Sequence, residues 1–179
     1  AARRIIVENG QIAELRADLS DLKNRQQIHD VYLRYMRGFD RNDVGLLRSA
    51  FWPDAQINYG AQSNTIDEFI ARHLNVHMAQ LEAWGHLITN ESMDIAGDTA
   101  HVEAYVTALW VPKDAKSFAA SSPIAAGRYV DRLERRNGQW RRTMRRLGMF
   151  VAVPIAAVAL YASLVATALY DGEAVFTVQ

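Results

Sequence analysis

Between residues 11 and 37, apolar side chains return every third or fourth position: Ile12, Leu15, Leu19, Leu22, Ile28, Val31, Tyr32, Tyr35 and Met36. Charged residues fill the opposite face, so the period predicts a long amphipathic helix. Gly38 is expected to loosen its C-terminal end. A short helix over residues 44–51 follows, broken by Trp52-Pro53-Asp54-Ala55 before a short strand over residues 56–60. Thr65 and Glu68 stand at capping-box spacing, and the helix they open is expected to run to Trp84. After Gly85 the period becomes two. Residues 86–95 read as one strand. Residues 99–111 read as the next, with Val102, Ala104, Val106, Ala108 and Trp110 alternating with polar or exposed positions. Residues 125–136 and 139–150 flank Asn137-Gly138, the strongest short hairpin signal, and Gly97-Asp98 marks another turn. Helices first and an antiparallel meander after them give an α+β plan, with helices packed on one face of a curved sheet.

Composition narrows the function. A chain of 179 residues is expected to form a single domain. Lys plus Arg and Asp plus Glu number 20 each, leaving no basic surplus for phosphate binding, so no nucleic-acid partner is expected. There is no cysteine, which excludes disulfides, thiolate catalysis and cysteine-ligated zinc. That fits a cytoplasmic protein, and the opening Ala1–Gly10 lacks the apolar core of a secretory signal. Residues 147–170 carry no charge and are long enough to span a bilayer, with four arginines before them and two acids after. Their many alanines and Pro154 favour burial against the sheet or a neighbouring subunit over a membrane span.

Few residues offer chemistry. His73 and His77 lie at i, i+4 on the expected third helix, but no third ligand accompanies them, so no metal site is assigned. Asp40 ends the long helix and His86 opens a strand, so both can face one cavity in a helix-over-sheet arrangement. A carboxylate that accepts one ring N–H of a histidine fixes its tautomer and leaves the other nitrogen as a base near neutral pH. Tyrosines beside such a base, Tyr35 and Tyr59, can donate to a carbonyl or hydroxyl. On spacing alone, Asp40 reads as a helix-end turn residue, His86 as a core histidine, and the two tyrosines as packing residues.

An ordered set of motifs changes that balance. It comprises the long helix, Tyr35 before Gly38-Phe39-Asp40-Arg41-Asn42-Asp43, then Phe51-Trp52-Pro53-Asp54-Ala55, then His86 with Asn90. It ends with Tyr129-Val130-Asp131, Arg135, Gly138 and Trp140 of the last hairpin. Over residues 24–147 the chain resembles the SnoaL-like branch of the nuclear transport factor 2-like superfamily. It is most similar there to a dehydratase-type group with scytalone dehydratase, hexachlorocyclohexane dehydrochlorinase and bile acid 7α-dehydratase. The resemblance implies a cone-shaped barrel, a curved antiparallel sheet wrapped around the N-terminal helices. It implies a cofactor-free lyase, commonly a homotrimer, with a His-Asp dyad at His86 and Asp40. Tyr35, and less securely Tyr59, would be the accompanying phenols. A basic residue of the last strand, Arg145 or Arg146, would enter the pocket, and strand alternation admits only one of them. Residues 148–179 depart from the family pattern, because an apolar run replaces the usual polar tail.

The expected function is a cofactor-independent dehydratase or dehydrohalogenase. His86 would abstract a proton, Asp40 would hold His86, and Tyr35 or Tyr59 would assist the leaving group. Phe39, Phe51, Trp52, Trp84 and Phe150 would wall a pocket for a small hydrophobic cyclic substrate. Two alternatives remain open: isomerase or polyketide-cyclase chemistry at the same dyad, and a non-catalytic binding or assembly module like the small subunits of ring-hydroxylating dioxygenases.

Overall fold

The structure, a computed structural model, describes residues 2–59, 62–114 and 124–151. Helix α1 spans Ala2–Asp40. Only its second half meets the core: Ile28, Val31, Tyr32, Tyr35, Met36 and Phe39 form one buried stripe at helical spacing. In the first half the same period continues, yet Ile12, Leu15, Leu19 and Leu22 stay exposed.

The end of α1 is fixed by its sequence. Asn42 adopts the left-handed conformation at φ 55°. The amide of Asp43 then donates to Gly38 O at 2.8 Å, and that of Asn42 donates to Phe39 O at 3.2 Å. This is the Schellman pattern, which satisfies the last carbonyls and holds Asp40 in the final helical turn. Asp43 next caps helix α2, Val44–Ser49, by accepting from Leu46 N. Gly38 does not loosen the helix. A Cβ there would lie 2.5 Å from the backbone nitrogen of Leu47, so glycine allows α2 to pack directly on α1.

Strand β1 covers Phe51–Tyr59, so Phe51 starts a strand instead of closing a helix, and residues 52–55 continue that strand. Strand β2, Gln62–Thr65, folds back antiparallel on β1. The capping box opens helix α3, Ile66–Gln80: Thr65 N donates to Glu68 Oε2 at 2.8 Å, and Glu68 N donates to Thr65 Oγ1 at 3.3 Å. α3 stops before Trp84, because residues from Leu81 onward pair with the next strand. Strands β3 (Leu81–Ala96), β4 (Thr99–Pro112), β5 (Ile124–Arg136) and β6 (Gln139–Val151) form the meander. Asn137 and Gly138, at φ 52° and 76°, supply the two positive values a type I′ turn requires. Leu147 to Val151, the start of the apolar run, therefore belong to β6; residues 152–170 lie outside the described residues. Among the described residues no helix is long and apolar enough to cross a membrane.

The six strands make one curved, open sheet in the order β2-β1-β6-β5-β4-β3. It is mixed instead of wholly antiparallel, because β1 lies parallel to β6. Two irregularities in register decide which side chains enter the concave face. On β3 the ladder gains a residue between Thr89 and Ser92, with Asn90 at φ 52°. On β6 it gains one beside Thr143, between the Arg132–Met144 and Leu133–Arg142 pairs. Each bulge shifts the inward alternation by one position.

Candidate active site

Tyr35 and Phe39, on the last turns of α1, reach the concave face of the sheet. Together with the end of α3 and residues of β1, β3, β4, β5 and β6 they line a cavity of about 470 Å³. On β3, Trp84 and His86 point inward, opposite Trp110 and Ala108 of β4, and all four line the cavity. Tyr59 comes from β1 and Tyr129 from β5. Among the described lining residues none is Asp, Glu, Lys or Arg.

The Nδ1 of His86 lies 2.6 Å from Oδ1 of Asp40. The backbone N–H of His86 donates to the other carboxylate oxygen at 3.3 Å. With both Asp40 oxygens accepting, Nδ1 carries the hydrogen and Nε2 is the nitrogen left with a lone pair. The His86 side chain is 9% exposed, and the ring packs edge-on against Phe39, with centroids 5.2 Å apart. The indole of Trp84 stands at 5.7 Å, and its buried N–H has no hydrogen-bond partner.

Three phenols gather at another part of the cavity. The hydroxyls of Tyr35 and Tyr59 are 2.9 Å apart, and Tyr59 donates to Tyr129 at 3.5 Å. Burial pushes the Tyr59 and Tyr129 hydroxyls well above the ordinary phenol range, so both remain protonated donors near neutral pH.

Below them lies a charged cluster with no solvent exposure. Asp131 accepts from Arg142 Nε at 2.7 Å, and from Arg145 Nε and Nη2 at 2.9 and 2.6 Å. Burial by itself would raise the Asp131 carboxyl, but Arg145 and Arg142 hold it below the usual carboxylate range. Burial likewise opposes the charge of Arg145, and Asp131 restores it to well above the ordinary value. The Arg145 guanidinium carbon sits 3.6 Å from the centroid of the Tyr129 ring and 4.2 Å from that of Tyr35.

The remaining expected residues fall as follows. Phe39 and Trp84 line the cavity. Phe51 does not: it is buried in the core and packs edge-on against Tyr35 at 5.7 Å. Trp52 points away from the cavity, because it follows an inward residue on β1. Its indole N–H donates to Glu134 O, and the guanidiniums of Arg136 and Arg141 stack on its ring. Arg145 faces inward and Arg146 outward, as alternation requires, but Arg145 lies behind the tyrosines instead of lining the cavity. The side chains of Phe150, His73 and His77 lie outside the described residues. Among the described residues no group of three or more His, Cys, Asp or Glu side chains could hold a metal ion. Sequence reasoning did not assign Tyr129, Trp110, Asp131 or Arg142 to the site. Tyr129 and Asp131 carried a signal, two residues apart on a strand whose other face is charged.

The family described as the SnoaL-like domain matches residues 20–146. Among solved structures, hexachlorocyclohexane dehydrochlorinase LinA-type3 from Novosphingobium barchaimii LL02 is 25% identical with a TM-score of 0.67, over 78% of this chain and 94% of that one. A scytalone dehydratase candidate from Novosphingobium aromaticivorans DSM 12444 is 21% identical with a TM-score of 0.65, over 75% and 89%. That second likeness shows the fold alone. Among curated proteins, none matches the sequence.

Proposed function

Because the chain belongs to the SnoaL-like domain family, a cofactor-independent branch of the nuclear transport factor 2-like fold, we propose that it is a lyase that eliminates water or halide from a small hydrophobic cyclic substrate. The observation that carries this reading is the 2.6 Å contact between Asp40 and His86 at the wall of a largely apolar cavity. Asp40 holds the imidazole in the tautomer whose Nε2 accepts a proton, and it stabilises the imidazolium that follows. His86 takes a proton from a substrate carbon, and the electron pair left behind expels the leaving group from the neighbouring carbon. Tyr35 or Tyr59, on turning its hydroxyl hydrogen away from its phenol neighbour, donates where negative charge develops, while Phe39, Trp84 and Trp110 exclude water and grip the ring. The Trp84 N–H is one further donor beside the base.

Support for the substrate class comes from the cavity wall and from the dehydrochlorinase likeness. Self-association, as a trimer, is part of the same proposal. The convex faces of β3, β4 and β5 expose Leu87, Leu109, Val111 and Ile124, an apolar surface suited to burial against further copies. A screen of hydroxylated and halogenated ring compounds, wild type beside His86→Ala, tests the reading through released halide or lost water. Turnover by wild type alone is expected. Equal turnover by the two proteins would remove His86 from the reaction.

A further inference from the structure

Helix α1 carries a second apolar stripe that the fold does not use. Ile12, Leu15, Leu19 and Leu22 are 46–67% exposed, and every residue from Asn9 to Ser20 is exposed. Ties to the sheet come later: Asn24 accepts from Arg135 Nη1 at 3.0 Å, and Arg25 donates to Met93 O at 3.2 Å. At about 100° per residue, the exposed stripe lies about 150° round the helix from the buried one of Ile28, Val31, Tyr32, Tyr35, Met36 and Phe39. It is therefore not the core stripe run on past the sheet. A helix with water on every side has no use for an apolar line, and so short a stretch is marginal by itself. Both facts point to a partner.

The spacing says what kind. Steps of three, four and three place Ile12 and Leu19 at the a positions of two heptads and Leu15 and Leu22 at the d positions. The core stripe is broader, as burial against a sheet requires, whereas a strict a/d line is the narrow seam that meets another helix. Isoleucine at a with leucine at d favours two parallel strands. The flanking charges select the same arrangement. Arg16 and Lys23 fall at e, and Asp18 falls at g. In a parallel, in-register pair each Asp18 faces the partner's Lys23, an attraction made twice. The antiparallel pair that fills the same seam sets Asp18 against Asp18 and Arg16 against Arg16, and both contacts repel.

We propose that residues 12–22 of α1 are a docking seam for a second copy of this chain, the two helices lying parallel and in register as a two-stranded coiled coil. Each helix is continuous with its packed half, so the unfavourable nucleating turn is already formed when the copies meet. The seam is separate from the cavity and from the convex faces of β3, β4 and β5, and the inference does not depend on the lyase reading.

Because the chain has no cysteine, an introduced one reports only its own neighbour. Ile12→Cys and Leu22→Cys are made separately in the full chain and oxidised mildly. In the parallel register each cysteine meets its own counterpart, so both proteins should form disulfide-linked pairs at least about tenfold faster than Ala17→Cys, whose f position faces away from the seam. Equal rates for all three would overturn the proposal. Positions 12 and 22 lie about 15 Å apart along one helix, beyond disulfide reach, so a 12–22 bridge in a mixture of the two proteins requires antiparallel chains. That bridge as the main product, identified by mass spectrometry, would also overturn it. Adding Asp18→Lys to Ile12→Cys should slow bridging severalfold, and adding Lys23→Asp as well should restore it. An unmoved rate with Asp18→Lys would defeat the assigned register. No bridging in solution, with binding to vesicles of anionic phospholipid that Leu15→Asp abolishes, would assign the stripe to a lipid surface and defeat the proposal.

Discussion

Two histidines of this chain hold a carboxylate in the same way. His86 Nδ1 lies 2.6 Å from Asp40 Oδ1, and His29 Nδ1 lies 2.6 Å from Glu91 Oε2. Both pairs join α1 to β3, in opposite senses: the helix supplies the acid in the first and the histidine in the second. Their settings differ. The His86 side chain is 9% exposed and lines the cavity, whereas that of His29 is 37% exposed and lines no part of it. A hydrogen-bonded carboxylate makes any imidazole a better base. It makes a catalyst only where the other ring nitrogen meets a bound carbon acid in a site that excludes water.

The largest effect that can break this comparison is on rate. His86→Ala is expected to lower turnover by about a hundred- to ten-thousand-fold, the range a positioned general base supplies. Asp40→Asn should fall in the same range, because an amide neither selects the tautomer nor stabilises the imidazolium. Steady-state kinetics on the substrate found by the screen measures both, with circular dichroism to confirm that each variant is folded. If Asp40→Asn matched wild type, the first pair would be no more catalytic than the second.

The settings also differ in what lies beneath. The first pair shares its cavity with phenols backed by the Arg142–Asp131–Arg145 cluster, and the second pair has no such support. Asp131→Ala would leave two guanidiniums buried without a counter-charge and is expected to cost about 3–5 kcal/mol of stability, read by urea denaturation. The pH dependence has a definite sign. Because the folded carboxyl is held below its ordinary value, the cluster stabilises the fold above the unfolded pKa of about 3.9. That stability is lost as pH falls through the lower, folded value. Tryptophan fluorescence across an acid titration should show it in wild type.

A smaller effect tests how Asp40 is aimed. Gly38→Ala forces a methyl against the Leu47 backbone, so α1 and α2 must part. The expected cost is about 1–3 kcal/mol of stability. Turnover should fall further than that loss explains, since Asp40 sits two residues on.

The first pair was legible in the sequence, and the second was not. Asp40 and His86 stood at the ends of strongly periodic elements, where a helix end and a strand can converge, and the ordered motifs placed them together. Glu91 was hidden because it lies in the stretch where β3 gains a residue, and the alternation rule fails from Thr89 to Ser92. The same cause hid the buried cluster. A regular strand cannot turn two residues three positions apart to one face, so Arg142 and Arg145 read as opposite until the bulge at Thr143 brings both inward. Trp52 was misplaced for the complementary reason: hydrophobicity suggested a wall, while its position after Phe51 on β1 turned it to the arginines. The element types were readable because they rest on period. Boundaries near Phe51 and Leu81 were not, because strand pairing decided them.

The smallest expected effect belongs to the second pair. His29→Gln keeps a polar side chain at the seam between α1 and β3 while removing the imidazole. With His29 more than a third exposed, the pair's contribution should be at most about 1 kcal/mol, after the discount that solvent screening imposes. Arg25, which donates to Met93 O at 3.2 Å, continues to tie the helix to the strand. Turnover should be unchanged within about twofold, because His29 is not among the described residues that line the cavity. A large fall in rate with stability intact would mean that the contact at Glu91 governs the cavity from a distance. The contrast between the two histidines would then be one of degree, and the wall of Phe39, Trp84 and Trp110 would no longer set His86 apart as the proposed base.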